Sequence, residues 1–155
     1  MTSLPGLIMR IQIKPTAAPR MSRRDALSQA GRRRPVVENY FAYRDELALK
    51  ARKLNAETQM GIVFHLPMPE GWSAHKRREL IGTPHLSGRG PDTDNLQKGV
   101  WDSLFRNAND AHIWSNVGLK AWAASGAIDF VAPATFACLW VRMIETGKLD
   151  SDWIT

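Results

Sequence analysis

Hydrophobic and polar residues nearly alternate early in the chain, in "LIMRIQIKP", where Ile8, Ile11 and Ile13 are β-branched and Arg10 and Gln12 are polar. The pattern predicts a strand that stops at Pro15. A basic stretch, "TAAPRMSRRDALSQAGRRRP", follows without periodicity and is expected to be a long loop. In "VVENYFAYRDELALKARKLNA" the period becomes helical. Tyr40, Tyr43, Leu47, Ala51 and Leu54 recur on one face, with Arg44, Lys50 and Lys53 elsewhere. "MGIVFHLP" predicts a second strand with Ile62, Phe64 and Leu66 on one face. After a turn in "MPEGW", the segment "SAHKRRELI" predicts a short basic helix with Ser73 as N-cap and Gly82 just past its end.

"GTPHLSGRGPDT" is expected to be a loop, and "DNLQKGVWDSLFRN" a helix. "ANDAHIWSNVGLKAWA" opens as a loop and becomes a strand with Ile113, Val117 and Leu119 as its apolar positions. "GAIDFVAP" is a fourth strand, and the short "ASG" link predicts that the last two strands pair antiparallel. In the tail, Phe136, Leu139, Trp140, Met143 and Ile144 form the stripe of an amphipathic helix ended by Gly147. The element order implies an α+β domain with one small mixed β-sheet and flanking helices. Residues 1–133 are expected to form that domain and residues 134–155 a C-terminal helical extension.

Composition changes this picture little. The chain has 155 residues, 44% of them hydrophobic, which suits one globular domain. The one cysteine, Cys138, allows no internal disulfide and fits a reducing compartment. No apolar run reaches the roughly 18 residues of a membrane span, and the start is too short in apolar residues for a secretory signal. A soluble, cytoplasmic protein with no membrane partner is expected. Charge is more informative. Residues 1–55 carry 12 Lys/Arg and 4 Asp/Glu, a net +8, whereas residues 56–155 carry 9 and 11, a net −2. A basic half is the footprint of a polyanion binder, although solvated surface arginine gives the same count.

The densest chemistry lies in "RGPDTDNLQKGVWDSLF". On a helix turning about 100° per residue, Asp94, Lys98 and Asp102 share one face, and Leu96, Val100 and Leu104 line another. Each polar residue has an ordinary explanation. Asp94 or Thr93 can cap the helix, acids near its start suit the dipole, and Lys98–Asp102 is an i,i+4 pair. The alternative is a metal site. Asp92 and Asp94 enter the helix two residues apart, and Asp110 in "NAND" precedes the next strand. Three carboxylates held together repel unless a cation joins them, and Mg²⁺ prefers such hard oxygen ligands. His65 and His85 have no metal-ligand spacing with one another, so zinc is not expected. Trp72, Trp101, Trp114 and Trp122 are expected to pack in the core.

"HLSGRGPDTDNLQKGVWDSL" followed by "NDAHIWSNVGLKAW" resembles the RusA family of Holliday junction resolvases, whose signature is PDxDNLxK with an acidic pair ahead of a strand. Upstream, "APRMSRRD", "RPVVENYFAYRDEL" and "FHLPMPEGWSAHKRRELIGTPH" look like the phage and prophage branch of that family. The resemblance runs over about residues 8–130. It implies an α+β homodimer that is a Mg²⁺-dependent endonuclease on four-way DNA. By motif position, Asp92, Asp94 and Asp110 are the metal ligands and Lys98 is the essential lysine. Two departures stand out. The acidic pair is often Asp-Asp in the family and is Asn109-Asp110 here, and the helical tail after Pro133 has no counterpart in the family core.

In that reading the basic residues bind DNA phosphates. The candidates are Lys14, Arg20, Arg23, Arg24, Arg32, Arg33 and Arg34, then Lys76, Arg77 and Arg78 on the short helix, and Arg89 just before the acids. Two other readings stay open at this point: a DNA-binding module without catalysis, and a nuclease acting on other branched DNA or on RNA.

Overall fold

The computed structural model describes residues 4–29, 32–55, 59–106, 113 and 115–154. Four strands, β1 (Leu7–Gln12), β2 (Gly61–Pro67), β3 (Val117–Ala123) and β4 (Ala127–Val131), form one mixed sheet in the order β1-β4-β2-β3. The helices are α1 (Arg23–Leu27), α2 (Pro35–Lys50), α3 (Ala74–Leu80), α4 (Thr93–Leu104) and α5 (Pro133–Thr146), with a 3-10 turn at Ser151–Trp153. This is the expected α+β class.

The sheet topology departs from the expected pairing of the last two strands. β3 runs parallel to β2, and β4 runs antiparallel to both β2 and β1. Thus β2 lies between β3 and β4, and residues 124–126 cross its end instead of closing a hairpin. The reason lies in β2, whose residues Gly61 to Leu66 are all buried. A strand covered on both faces belongs in the middle of a sheet. Gly126 makes the crossing possible, because a Cβ there would lie 2.7 Å from the Cα of Lys14.

One face of the sheet carries α2 and α4. Tyr40, Tyr43, Leu47 and Ala51 pack with Leu96, Val100 and Trp101 against Ile62, Phe64, Leu66, Ile128 and Phe130. The helical stripe of α2 and the first face of β2 are therefore as expected. On β3 the buried positions are Ala121 and Ala123, while Val117 is 40% exposed at the strand's start. The opposite face carries α5. Phe136 and Leu139, with Met143 beside them, cover Val63, Ala121 and Val131. Gly61 lets α5 come this close, since a Cβ there would lie 2.3 Å from the Phe136 ring. The tail stripe is split: Trp140 is 54% and Ile144 65% exposed, on the outer side of α5. Gly147 ends the helix in the left-handed conformation at φ 73°.

The basic stretch is not all loop. Ser22 and Asp25 form a reciprocal capping box that starts α1. Arg34 then closes the stretch on Asp25 through bonds of 3.1 and 2.6 Å, and donates to the Arg20 carbonyl. These bonds from Arg34 and Ser22 hold the Asp25 carboxyl well below the usual carboxylate range. The chain between β1 and α1 lies along α4, with Ala18 N–H bonded to Asn95 O. Gly99 leaves room for it, because a Cβ there would meet the Thr16 carbonyl at 2.9 Å.

Candidate active site

Helix α4 begins at Thr93 with Asp92 as its N-cap, one or two residues earlier than the Thr93 or Asp94 cap expected from the sequence. Asp92 takes the cap's backbone role through Leu96 N–H to Asp92 O, but its side chain makes no capping bond. Asp94, in the first turn, is also exposed. Neither carboxylate has a hydrogen bond or ion pair among the described residues. Ordinary helix capping thus does not occupy them. An unspent carboxylate at the positive end of a helix remains available to a cation or a donor.

The turn carrying Asp92 is held from the sheet. Lys120 on β3 donates its Nζ to the Pro91 carbonyl at 2.7 Å. His85 N–H bonds to Lys120 O, and the His85 ring lies on Trp122 with centroids 3.9 Å apart. Gly90 passes over that ring so closely that a Cβ would meet it at 2.1 Å. His85 is buried, its Nδ1 has no partner among the described residues, and burial lowers its pKa. Sequence reasoning missed Lys120 because nothing local distinguishes a lysine on the strand from any alternating polar position.

One turn into α4, Lys98 pairs with Asp102 at 2.8 Å, the i,i+4 contact expected of this spacing. Asp102 is fixed in turn by the Tyr40 hydroxyl, which donates to its other oxygen at 2.6 Å. Burial first, and the Asp102 carboxylate second, push the Tyr40 pKa up, so the hydroxyl stays a donor. Lys98 remains largely exposed on the same face as Asp94. Asp110 lies outside the described residues, as does Trp114. Among the described residues, no group of three His, Cys, Asp or Glu side chains gathers as a metal would need.

Next to this turn lies a cleft of about 620 Å³, lined by Lys14, Arg77, Arg89 and Glu70 as its charged groups and by Pro91 at the edge of the acidic turn. The structure thus brings together three of the expected DNA contacts from three separate segments. Arg77 is oriented by a bond to Pro69 O, and Lys76 lies over the Trp72 ring at 4.1 Å. Arg33 lies over Phe41 at 4.4 Å and reaches Asp25 O, while Arg34 is engaged with Asp25. Arg20, Arg23, Arg24, Arg32 and Arg78 are exposed. His65 is committed elsewhere, to the buried Asp129 at 2.8 Å.

The structure thus sets a two-acid helix start next to a cationic cleft in an α+β domain. Residues 11–127, well over half of the chain, match the family model described as Endodeoxyribonuclease RusA. The chain belongs to that family, and is an endodeoxyribonuclease of the Holliday-junction-resolving type. RusA-family nucleases are generally metal-dependent and act on branched DNA. Neither a curated protein nor a solved structure matches the chain. Among the described residues no helix is long and apolar enough to cross a membrane.

Proposed function

We propose that this protein resolves four-way DNA junctions by Mg²⁺-dependent phosphodiester hydrolysis, with Asp92, Asp94 and Asp110 as the metal ligands. The observation that carries the reading is the pair of exposed carboxylates on Asp92 and Asp94, without a partner among the described residues, at the start of α4 beside the cationic cleft. The donor set fits a hard divalent cation. Both described ligands are carboxylates, and Mg²⁺ commonly takes one or two of these, with waters and substrate phosphate completing its shell. When bound, the ion supplies a centre that lowers the pKa of a water and neutralises the phosphate.

The chain's own residues do the rest. Lys120 holds the turn on which Asp92 sits, through the Pro91 carbonyl. Lys98 carries a positive charge one turn from Asp94, where it offsets charge developing on the phosphate or the leaving oxygen. Asp102, steadied by Tyr40, keeps that ammonium on the reacting face. A substrate panel tests the reading. Four-way junctions should be cut in preference to flaps, plain duplex and RNA. Preferential cutting of flaps or RNA would replace it with the broader nuclease reading.

Sequence-independent affinity comes from the basic residues. Arg23, Arg24 and Arg32 have no side-chain partner among the described residues, so neutralising all three leaves the Asp25–Arg34 closure of the loop in place. The Gln triple variant should bind junctions more weakly. Its log–log salt slope should fall by roughly 0.9 for each duplex phosphate that is no longer neutralised. An unchanged slope would put this face away from DNA.

The working form is a two-fold homodimer. One chain offers one acid cluster, whereas resolving a junction takes two symmetric cuts, and a C₂ pair supplies two related sites. The outer side of α5, with Trp140, Val141 and Ile144 exposed, is one apolar surface available for such pairing. Sedimentation at micromolar concentration should give the dimer mass. A strict monomer, free and on a junction, would remove the paired-cut mechanism.

A further inference from the structure

The cleft beside Asp92 is larger than a phosphate needs, and its lining is of two kinds. Lys14, Arg77 and Arg89 face a single acid, Glu70, so the cleft carries a net charge of +2 with His85 neutral. Much of the remaining lining is apolar, with Pro15, Pro67, Met68 and Trp122 among its residues. A volume of about 620 Å³ lies within the usual range for small-ligand sites. Cations and apolar surface lining the same cleft match a nucleotide, which has an anionic linkage and a flat apolar base. Pro91 both lines the cleft and is the residue before Asp92, so an occupant lies next to the acidic turn.

His85 is the second, independent sign of a ligand. It is 4% exposed, yet its Nδ1 has no hydrogen-bond partner among the described residues, and its ring forms part of the cleft lining. Buried polar atoms are nearly always paired, so an unpaired one lining a cleft calls for a partner that the described residues do not supply. Trp122 behind it and Gly90 over it fix the ring.

We propose that this cleft receives one unpaired nucleotide from the branch point of the DNA, next to the phosphate presented to Asp92 and Asp94. Its phosphates meet Arg89, Arg77 and Lys14, and its base enters the recess between the prolines and His85. The proposal rests on the nuclease reading of the acidic turn and adds a source of structure selectivity. A paired base must leave its stack to enter such a recess, whereas a base already unpaired at a branch point enters at little cost. The cleft therefore favours branched over continuous DNA without reading sequence.

The test places 2-aminopurine at the branch point of a junction and follows its fluorescence on binding in EDTA, where nothing is cut. Wild-type protein should change the signal, and should not do so when the probe lies in a duplex arm. Ala124→Trp fills the cleft from an exposed lining position without removing a charge. It should abolish the signal change and weaken junction binding by about tenfold, as expected when a single base is shut out of its recess, with duplex binding unchanged. Arg89→Gln, at another exposed position, should lower the signal in the same way if Ala124→Trp does not fold. Wild-type cleavage in Mg²⁺ is measured on the same preparation. A wild type that cuts junctions while both variants keep the full probe response would overturn the cleft proposal alone. A normal probe response without any cutting would uphold the cleft and remove the nuclease reading.

Discussion

Asp92→Asn and Asp94→Asn are each expected to abolish junction cleavage, by a hundredfold or more, while leaving junction binding intact or tighter. Both carboxylates are exposed at the start of α4, and neither bonds to a described residue. Removing either costs the fold little, because Asp92 caps the helix through its backbone alone. The same removal lowers negative charge beside a phosphate, which cannot weaken attraction to DNA. Hydrolysis, by contrast, loses an oxygen ligand that the amide replaces poorly. Cleavage at fixed Mg²⁺ and binding in EDTA, measured on each variant, separate the two effects. A variant that cut at near wild-type rate would return that aspartate to an ordinary place on a solvated helix end.

The largest effect on stability is expected at Asp129, far from the acidic turn. Asp129 lies on β4, opposite Arg10 of β1 and Val63 of β2, and is wholly buried. Arg10 grips it with two bonds of 2.7 Å, His65 Nε2 lies 2.8 Å away, and Arg10 also reaches Trp153 O at 3.0 Å. One carboxylate thus ties three strands and the C-terminal turn together. Asp129→Ala strands a guanidinium and an imidazole in the sheet, and should cost about 3–5 kcal/mol. That is a large share of the 5–15 kcal/mol typical of a whole domain. Urea unfolding should show it as a lowered midpoint. Asp129→Asn, which keeps the shape and part of the bonding, should cost less.

The same group predicts a pH dependence. Burial alone would raise the Asp129 pKa, but the bonds from Arg10 and His65 outweigh it and hold the pKa below the ordinary value. A depressed folded-state pKa contributes stability that is fully present above the unfolded value of about 3.9. It is lost as pH falls through the folded value. Wild-type protein should therefore lose stability below about pH 4, and Asp129→Ala should lose less over that window. Some acid sensitivity should persist in the variant, since Asp25 is also held low by Arg34 and Ser22.

Periodic features of the chain could be read directly. The apolar stripe of α2, the first face of β2, the buried side of α4 and the Ser73 cap of α3 follow from spacing and residue type, and the structure places them so. The Asp-rich motif could be read because its acids and lysine stand close in sequence. What could not be read depends on contacts between distant segments. A three-residue link between two strands looks alike whether they pair or flank a third, so the place of β2 between β3 and β4 had no local signal. Asp129 sits in "AIDFV" like any outward polar residue, and its partners are 64 and 119 residues away in sequence. The capping box of α1 did have a signal, the Ser22–Asp25 spacing, which the surrounding arginines and prolines obscured. Lys98 and Asp102 were expected to pair and do, but Tyr40 as the third member comes from α2.

The most direct measurement is cleavage of a four-way junction with a mobile homologous core by the wild-type protein, with and without Mg²⁺, mapped on all four strands. Two nicks at symmetry-related positions on opposing strands, dependent on the ion, are the predicted result. Tight junction binding with no cutting in any divalent metal would contradict it and leave a DNA-binding module built on the same fold.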